Sequence, residues 1–556
     1  MTTVQSDPID VEQVSNAVES GEAVGGVGIS AAAGSLASAA RHSRGLGRRG
    51  VKLGLESAKV IAGRSEVAPA KGDWRFKDET WQLHPAYRRL MQMYLACSAS
   101  LMELVEDADI DWRDAQRARF AAEMLTSAIA PTNTLLGNPA ALKHVFETGG
   151  LSLARGTRNM LRDLRSNRGM PSTVHRGVLK VGTDLAATPG AVVYRDEVCE
   201  VLQYAPTTSS VRSRPVLLVP PQIGKYYFMD LAPGRSFVEH AVARGLQFFV
   251  TSWRNVTREQ ADWDMDTYAE AVDRVIDVVR DVSGSDDINL LSLCAGGILS
   301  STVLSRLAAT GDTRVRSASF GVTLLDFDIP APIGMFQMGA LLALARRRSS
   351  RAGILDGTSL STVFSWLRPN DLVWNYWVNN YLMGKDPPVF DILAWNADST
   401  NLPGRLHGQF LDIMERNLLT KPGELEVLGT PVDLRKITLD TYVTGATTDH
   451  LTPWKGCYQT TQLLNGRSRF ILSNAGHIAS LINPPGNPKA HFFAGPEPVG
   501  DPESWLEKAE RQQGTWWEDW AEWVTERSGD ERDAPAKLGS RTHQAGEPAP
   551  GTYIYG

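Results

Sequence analysis

The run Ile288-Asn289-Leu290-Leu291-Ser292-Leu293-Cys294-Ala295-Gly296-Gly297 decides how this chain is read. Residues of strand character lead into a cysteine and two glycines, and residues 297–309 then read as a helix. A sharp strand-to-helix turn needs small neighbours, because the helix must approach the strand closely. Gly296 and Gly297 meet that need, and Ser292 is small enough to adjust to the turn. A lone cysteine is more often a buried small hydrophobe. The order of strand, small residue, Cys, Gly-Gly and helix sets Cys294 apart, and a helix N-terminus beside a base favours the nucleophilic thiolate.

This is the nucleophile-elbow context of the α/β-hydrolase fold, with sulfur at the position usually held by a serine hydroxyl. That fold supplies its nucleophile, acid and base in this chain order. Two later strand ends qualify. The run 437–443 leads into Gly445-Ala446-Thr447-Thr448-Asp449-His450, and 470–472 leads into Ser473-Asn474-Ala475-Gly476-His477. Asp449 is assigned as the orienting acid and His477 as the base. His450 competes for that role, but as the immediate neighbour of Asp449 it is poorly placed to turn toward Cys294 with the acid behind it. Oxyanion donors are expected at Ala295, from the backbone amide, and in the loop Pro220-Pro221-Gln222, at Gln222.

Outward from the elbow, strand-like runs at 216–219, 248–250 and 288–293 alternate with helical segments 236–244, 268–282 and 297–309, which predicts an open parallel sheet joined by crossover helices. Between about 329 and 430 the alternation stops and tryptophans crowd in, so this insertion reads as a cap or lid over the active face. Residues 189–528 are therefore taken as the catalytic domain. Helical periodicity over 87–104 and 115–128 marks 71–188 as an N-terminal helical domain. Residues 1–70, rich in Ala, Gly and Ser, are expected to form a mobile tail, with an amphipathic surface-seeking helix over 36–63 as the alternative. A Trp-rich helix is expected at 503–527 and a polar C-terminal tail at 529–556.

Composition bounds the function. With 556 residues, 42% hydrophobic and 22% charged, the chain can bury a deep core. Fifty-seven basic and 63 acidic residues leave a net charge of −6, too balanced to imply nucleic acid as a partner. The four cysteines are scattered singly, which disfavours a disulfide scaffold and fits a reducing cytoplasm. No transmembrane segment, export signal, metal site or cofactor site is expected.

The stretches Pro220-Pro221-Gln222-Ile223-Gly224-Lys225-Tyr226-Tyr227, Ser252-Trp253-Arg254-Asn255, Leu293-Cys294-Ala295-Gly296-Gly297, the run from Asn370 to Tyr381, Asp449-His450 before Pro453-Trp454, and Gly476-His477-Ile478 before Asn483-Pro484-Pro485 together resemble the polyhydroxyalkanoate synthases. The resemblance runs from about Trp74 to Trp523 and resumes at Pro550-Gly551-Thr552-Tyr553. It departs at Ser292, where glycine is usual, and at Gly224, where asparagine is common. Residues 425–434 and 483–489 are nearer the synthases that take medium-length side chains. The resemblance implies a cytoplasmic, homodimeric polymerase of (R)-3-hydroxyacyl-CoA at the surface of polyester granules. It implies that Cys294 carries the chain as a thioester and that the CoA thioester is substrate, with no further cofactor. Substrate contacts are expected at Arg368, Tyr226 and Trp374. Two other readings share the residues: a Cys-dependent esterase, thioesterase or depolymerase of the same fold, and a non-catalytic granule protein with a dead elbow.

Overall fold

The computed structural model describes residues 34–43, 45–175, 177–329 and 339–556. The chain divides into two compact units: Met1–His175 with Phe364–Pro388, and Arg176–Val363 with Val389–Gly556.

Among the described residues of the second unit, ten strands form one sheet. They are β1 (Gly190–Arg195), β2 (Cys199–Tyr204), β3 (Val216–Val219), β4 (Phe248–Trp253), β5 (Ile288–Leu293), β6 (Val315–Gly321), β7 (Asp440–Ala446), β8 (Ser468–Ser473), β9 (His491–Ala494) and β10 (Glu510–Gln513). Their order across the sheet is β1-β2-β4-β3-β5-β6-β7-β8-β9-β10. The central strands β4, β3, β5, β6, β7 and β8 run parallel, and antiparallel pairs extend both edges. Every residue of β3 and β5 is buried, as expected of parallel strands covered on both faces.

Alternation along β3 splits the core in two. Leu217 and Val219 face a cluster with Val272, Val275, Leu299 and Val303, whereas Val216 and Leu218 face one with Phe237, Trp516 and Trp520. The crossover helices Phe237–Ala243, Met265–Ser283 and Ala295–Thr310 supply Phe237, Val272, Val275, Leu299 and Val303, and the helix Trp516–Thr525 supplies the two tryptophans. The longest of the three starts at Asp264, whose carboxylate accepts from the Thr267 amide, and stops at Gly284 with φ 63°.

Three segments differ from their sequence reading. The strand expected at 437–443 starts at Asp440, because Asp433 accepts from the Arg435 amide and winds Leu434–Lys436 into a 3-10 turn first. The expected helix at 503–527 is two helices, Pro502–Leu506 and Trp516–Thr525, with β10 between them and Gly514 at φ 117° before the second. Trp516, Trp517 and Trp520 are buried, their rings 5.3, 5.2 and 4.8 Å from Phe237. The polar segment after 528 is laid across the sheet edge. Glu531–Asp533 pairs with Ser210–Arg212, and the Thr552 and Tyr553 amides donate to the fully buried Glu200 carboxylate at 3.1 Å.

Of the segment read as a cap, residues 330–338 lie outside the described residues. Helices Gly339–Ala352, Asp391–Asn396 and Gly404–Arg416 lie in the catalytic unit, whereas Phe364–Pro388 belongs to the helical one. There, of two π-helical stretches, Asn370–Trp374 packs with helix Trp112–Ala128 and Trp377–Leu382 with helix Leu151–Ser166. One face of Leu151–Ser166 receives Trp377–Leu382. Gly156 leaves no room for a Cβ beside the Tyr381 carbonyl, Asn159 donates to Asn380 O at 3.2 Å, and Asp163 accepts from the Tyr381 hydroxyl at 2.9 Å. Helices Pro85–Glu106 and Trp112–Ala128 fall where the periodicity placed them. Of the expected tail, residues 1–33 lie outside the described residues. Leu46–Ile61 is helical, packs on Pro85–Glu106 and buries Val60.

Candidate active site

The carboxyl ends of parallel strands are where an α/β sheet places its ligands, and β3, β5, β7 and β8 each end on a residue stretch singled out above. Cys294 follows β5 at φ 49° and ψ −121°, a left-handed conformation that an L-residue holds only under strain. The Cys294 amide donates to Gly321 O at 2.9 Å, so β6 fastens the turn. The side chain is partly exposed.

The glycines do what the turn requires. A Cβ on Gly296 would lie 2.5 Å from Val219 O and 2.7 Å from Pro220 O, and one on Gly297 would overlap the Thr323 side chain. Ser292 fits inside β5, fully buried, with its hydroxyl donating to Ser300 Oγ at 2.7 Å. Ala295 opens the helix, so its N–H has no intrahelical acceptor.

Asp449 lies beyond the end of β7 and His477 opens the helix His477–Leu481 after β8. Asp449 Oδ1 accepts the Leu451 and Thr452 amides at 2.8 and 2.9 Å. Asp449 Oδ2 accepts the Thr452 hydroxyl and His477 Nδ1, both at 2.7 Å. Burial alone would raise the Asp449 carboxyl, but His477 and the Thr452 donors outweigh it and hold it below the usual carboxylate range. Burial likewise pulls the His477 imidazole down, but the charge of Asp449 and, after it, that of Cys294 carry it well above its ordinary value. With Nδ1 committed to Asp449, Nε2 is the nitrogen left for the sulfur. His477, the base assigned from the sequence, meets Asp449 at 2.7 Å.

The loop after β3 is braced from several sides. Trp253 Nε1 donates to Pro220 O at 2.9 Å, Gly224 N to Thr400 Oγ1 at 2.7 Å and Trp395 Nε1 to Lys225 O at 2.7 Å. Gly224 has φ 88° and a Cβ there would sit 2.9 Å from the Trp395 ring. Glycine suits that backbone, and asparagine tolerates it better than most residues. Lys225 is buried and donates to Ile554 O at 2.5 Å while pairing with Asp398 at 2.8 Å. Gln222 is 5% exposed, and neither polar atom of its side chain has a partner among the described residues.

Of the three expected substrate contacts, one, Tyr226, lies in the loop after β3. Tyr226 is buried, its hydroxyl 3.5 Å from that of Tyr204, and desolvation drives its pKa well up. Arg368 and Trp374 lie in the helical unit. Arg368 pairs with Asp371 at 2.5 Å, and Trp374 stands edge-to-face with Trp366 and Trp377 at 6.4 and 5.9 Å. Sequence reasoning missed Thr452, Lys225, Trp395 and Thr400. Thr452 had a faint signal, a hydroxyl three residues after a strand-end aspartate, where turn-forming side chains close locally. Among the described residues, no group of three or more His, Cys, Asp or Glu is placed to hold a metal ion, and no helix is long and apolar enough to cross a membrane.

A strained cysteine turn backed by a buried Asp–His pair, all at the carboxyl ends of parallel strands, defines an α/β-hydrolase-fold protein with sulfur at the nucleophile position. A family model for the alpha/beta hydrolase fold matches residues 215–484, and one described as poly-beta-hydroxybutyrate polymerase (PhaC) N-terminus matches 72–241. Poly(3-hydroxyalkanoate) polymerase 1 of Ectopseudomonas oleovorans is 45% identical over 503 residues, covering 90% of each chain. Polymerase 2 of the same organism is 45% identical over 515 residues, covering 92% of each. The polymerase subunit PhaC of Cupriavidus necator is 41% identical over 503 residues, 89% of this chain and 85% of that one. The chain belongs to the poly(3-hydroxyalkanoate) polymerases.

Proposed function

We propose that the protein is an acyltransferase that polymerises (R)-3-hydroxyacyl groups from their CoA thioesters, with Cys294 carrying the growing polyester. The observation that carries this reading is the His477–Asp449 pair, 2.7 Å apart at the carboxyl ends of strands in the sheet that carries the cysteine elbow, in a chain of this family.

In the loading step the Cys294 thiolate attacks the thioester carbonyl of hydroxyacyl-CoA. A C–S bond to Cys294 forms, the C–S bond to CoA breaks, and the departing CoA thiolate takes the proton held by His477. Exchange of one thioester for another conserves the energy needed for the ester bond. In the extension step the 3-hydroxyl of a second unit attacks the Cys294 thioester, His477 accepts the hydroxyl proton, and the sulfur leaves. Asp449 holds the imidazole in the Nδ1–H tautomer through both steps. The Ala295 and Gln222 amides stabilise the tetrahedral oxyanion, a contribution of about 3 kcal/mol each. The CoA thioester is the reactant, and no further cofactor takes part.

The enzyme works as a homodimer on cytoplasmic polyester granules. Exposed apolar side chains of the helical unit, among them Leu136 and Phe146 at 77%, support contact with a hydrophobic product.

Brief exposure to 3-hydroxybutyryl-CoA or a longer homologue, followed by mass spectrometry, tests the reading. Acyl mass on Cys294, CoA release and insoluble polyester are expected, and Cys294→Ala abolishes all three. Release of CoA with free hydroxy acid as the sole product sinks the transferase reading and favours a hydrolase.

A further inference from the structure

A third side chain joins Asp449 and His477. The Thr452 hydroxyl lies 2.7 Å from Asp449 Oδ2 and 3.1 Å from His477 Nδ1. A hydroxyl carries one proton and two lone pairs. The proton goes to the carboxylate, the closer and charged acceptor, which leaves a lone pair facing the imidazole. The Nδ1–H is thereby shared between Asp449 and Thr452.

The threonine is itself held in place. It is 7% exposed, and its carbonyl accepts from the Cys457 thiol at 3.4 Å. Burial drives the Cys457 pKa well up, so that thiol stays a neutral donor. Asp449 Oδ1 keeps its two backbone amides whatever side chain stands at 452. The turn therefore does not need the hydroxyl, and the hydroxyl serves the edge of the carboxylate that meets the imidazole.

We infer that Thr452 is a positioning residue for acyl transfer, its hydroxyl fixing the Asp449 carboxylate and the Nδ1–H tautomer of His477 so that Nε2 faces the Cys294 sulfur. The inference rests on the proposed chemistry at Cys294 and adds a side chain to it. Thr452 acts through the pair it bonds.

Two near-isosteric variants separate the hydroxyl from the packing. Thr452→Val keeps shape and backbone amide but loses the hydroxyl; Thr452→Ser keeps the hydroxyl but loses the methyl. With 3-hydroxyacyl-CoA as substrate and CoA release as the signal, kcat of the valine variant falls about 10- to 100-fold at unchanged KM, the worth of one hydrogen bond to a charged group. The serine variant stays within about threefold of the parent. In an Asp449→Asn background Thr452→Val adds less than about threefold, because groups that act through one another are not additive. Parental kcat in the valine variant, an equal loss in the serine variant, a loss carried by KM, or multiplication of the two losses in the double variant each overturns the inference. Thr452→Ala supplies the same readings if the valine variant does not fold. Cys294→Ala keeps the two levels apart. Parental CoA release from that variant sinks the acyl-transfer reading itself, whereas an inactive Cys294→Ala beside an unimpaired Thr452→Val sinks the Thr452 inference alone.

Discussion

His477 Nδ1 lies 2.7 Å from Asp449 Oδ2, with the Asp449 side chain fully buried and that of His477 6% exposed. The imidazole is raised above its ordinary value and the carboxyl lowered, so each favours folding in its own pH window. The histidine contribution is fully present below its unfolded pKa of about 6.5 and is lost as pH rises through the elevated folded value. The aspartate contribution is present above its unfolded pKa of about 3.9 and is lost as pH falls through the lowered folded value. His477→Gln is therefore expected to cost about 3 kcal/mol near pH 6, and the cost shrinks in the alkaline range. Urea unfolding of both proteins from pH 5 to 10 checks this; a gap that stays constant across that range contradicts it.

Gly296→Ala pushes a methyl onto Val219 O and Pro220 O, backbone atoms of β3 and its loop with no freedom to retreat. A loss of about 2 kcal/mol or more is expected, together with slower alkylation of Cys294 by iodoacetamide. Gly47 is the contrasting case, helical with nothing within 4 Å of a new Cβ. There alanine is expected to stabilise by up to about 1 kcal/mol. Equal behaviour of the two variants in denaturant melts speaks against the close approach at the elbow.

Trp520 is fully buried, donates from Nε1 to Ser319 Oγ at 3.0 Å and lies against Phe237. Trp520→Ala is expected to cost about 3–5 kcal/mol of unfolding free energy with KM for hydroxyacyl-CoA unchanged below the melting range. A cost under about 1 kcal/mol shows that this side chain is not core.

Lys225→Met keeps the apolar stem but removes the donor to Ile554 O and the pairing with Asp398. Asp398 is about one-third exposed, so water compensates part of the loss and about 2 kcal/mol is expected. The sharper readout is hydrogen exchange, where the amides of residues 222–226 are expected to open more often in the variant. Unchanged exchange there refutes the bracing role of the lysine.

The elbow and its partners were legible because their signals are local. A strand, a small residue, Cys294 and two glycines lie within ten positions, and Asp449 and His477 each follow a strand by a short turn. Choosing His477 over His450 needed one further argument, that an immediate neighbour of the acid cannot turn toward the sulfur while the acid stands behind it. What escaped the sequence depends on partners far along the chain. Nothing near Thr552 announces Glu200, and nothing in the tryptophan-crowded stretch announces that Tyr381 and Asn380 dock on Gly156, Asn159 and Asp163. Tryptophan periodicity over 503–527 was real, but Gly514 interrupts it, and only packing on Phe237 reveals which face it serves.

Lys225 and Ile554, whose carbonyl holds its ammonium, stand 329 positions apart in the chain. At roughly 10 residues per second of synthesis, about half a minute passes between the making of Lys225 and the making of its partner. The brace on the loop after β3 is thus among the last contacts of the catalytic unit that synthesis makes available.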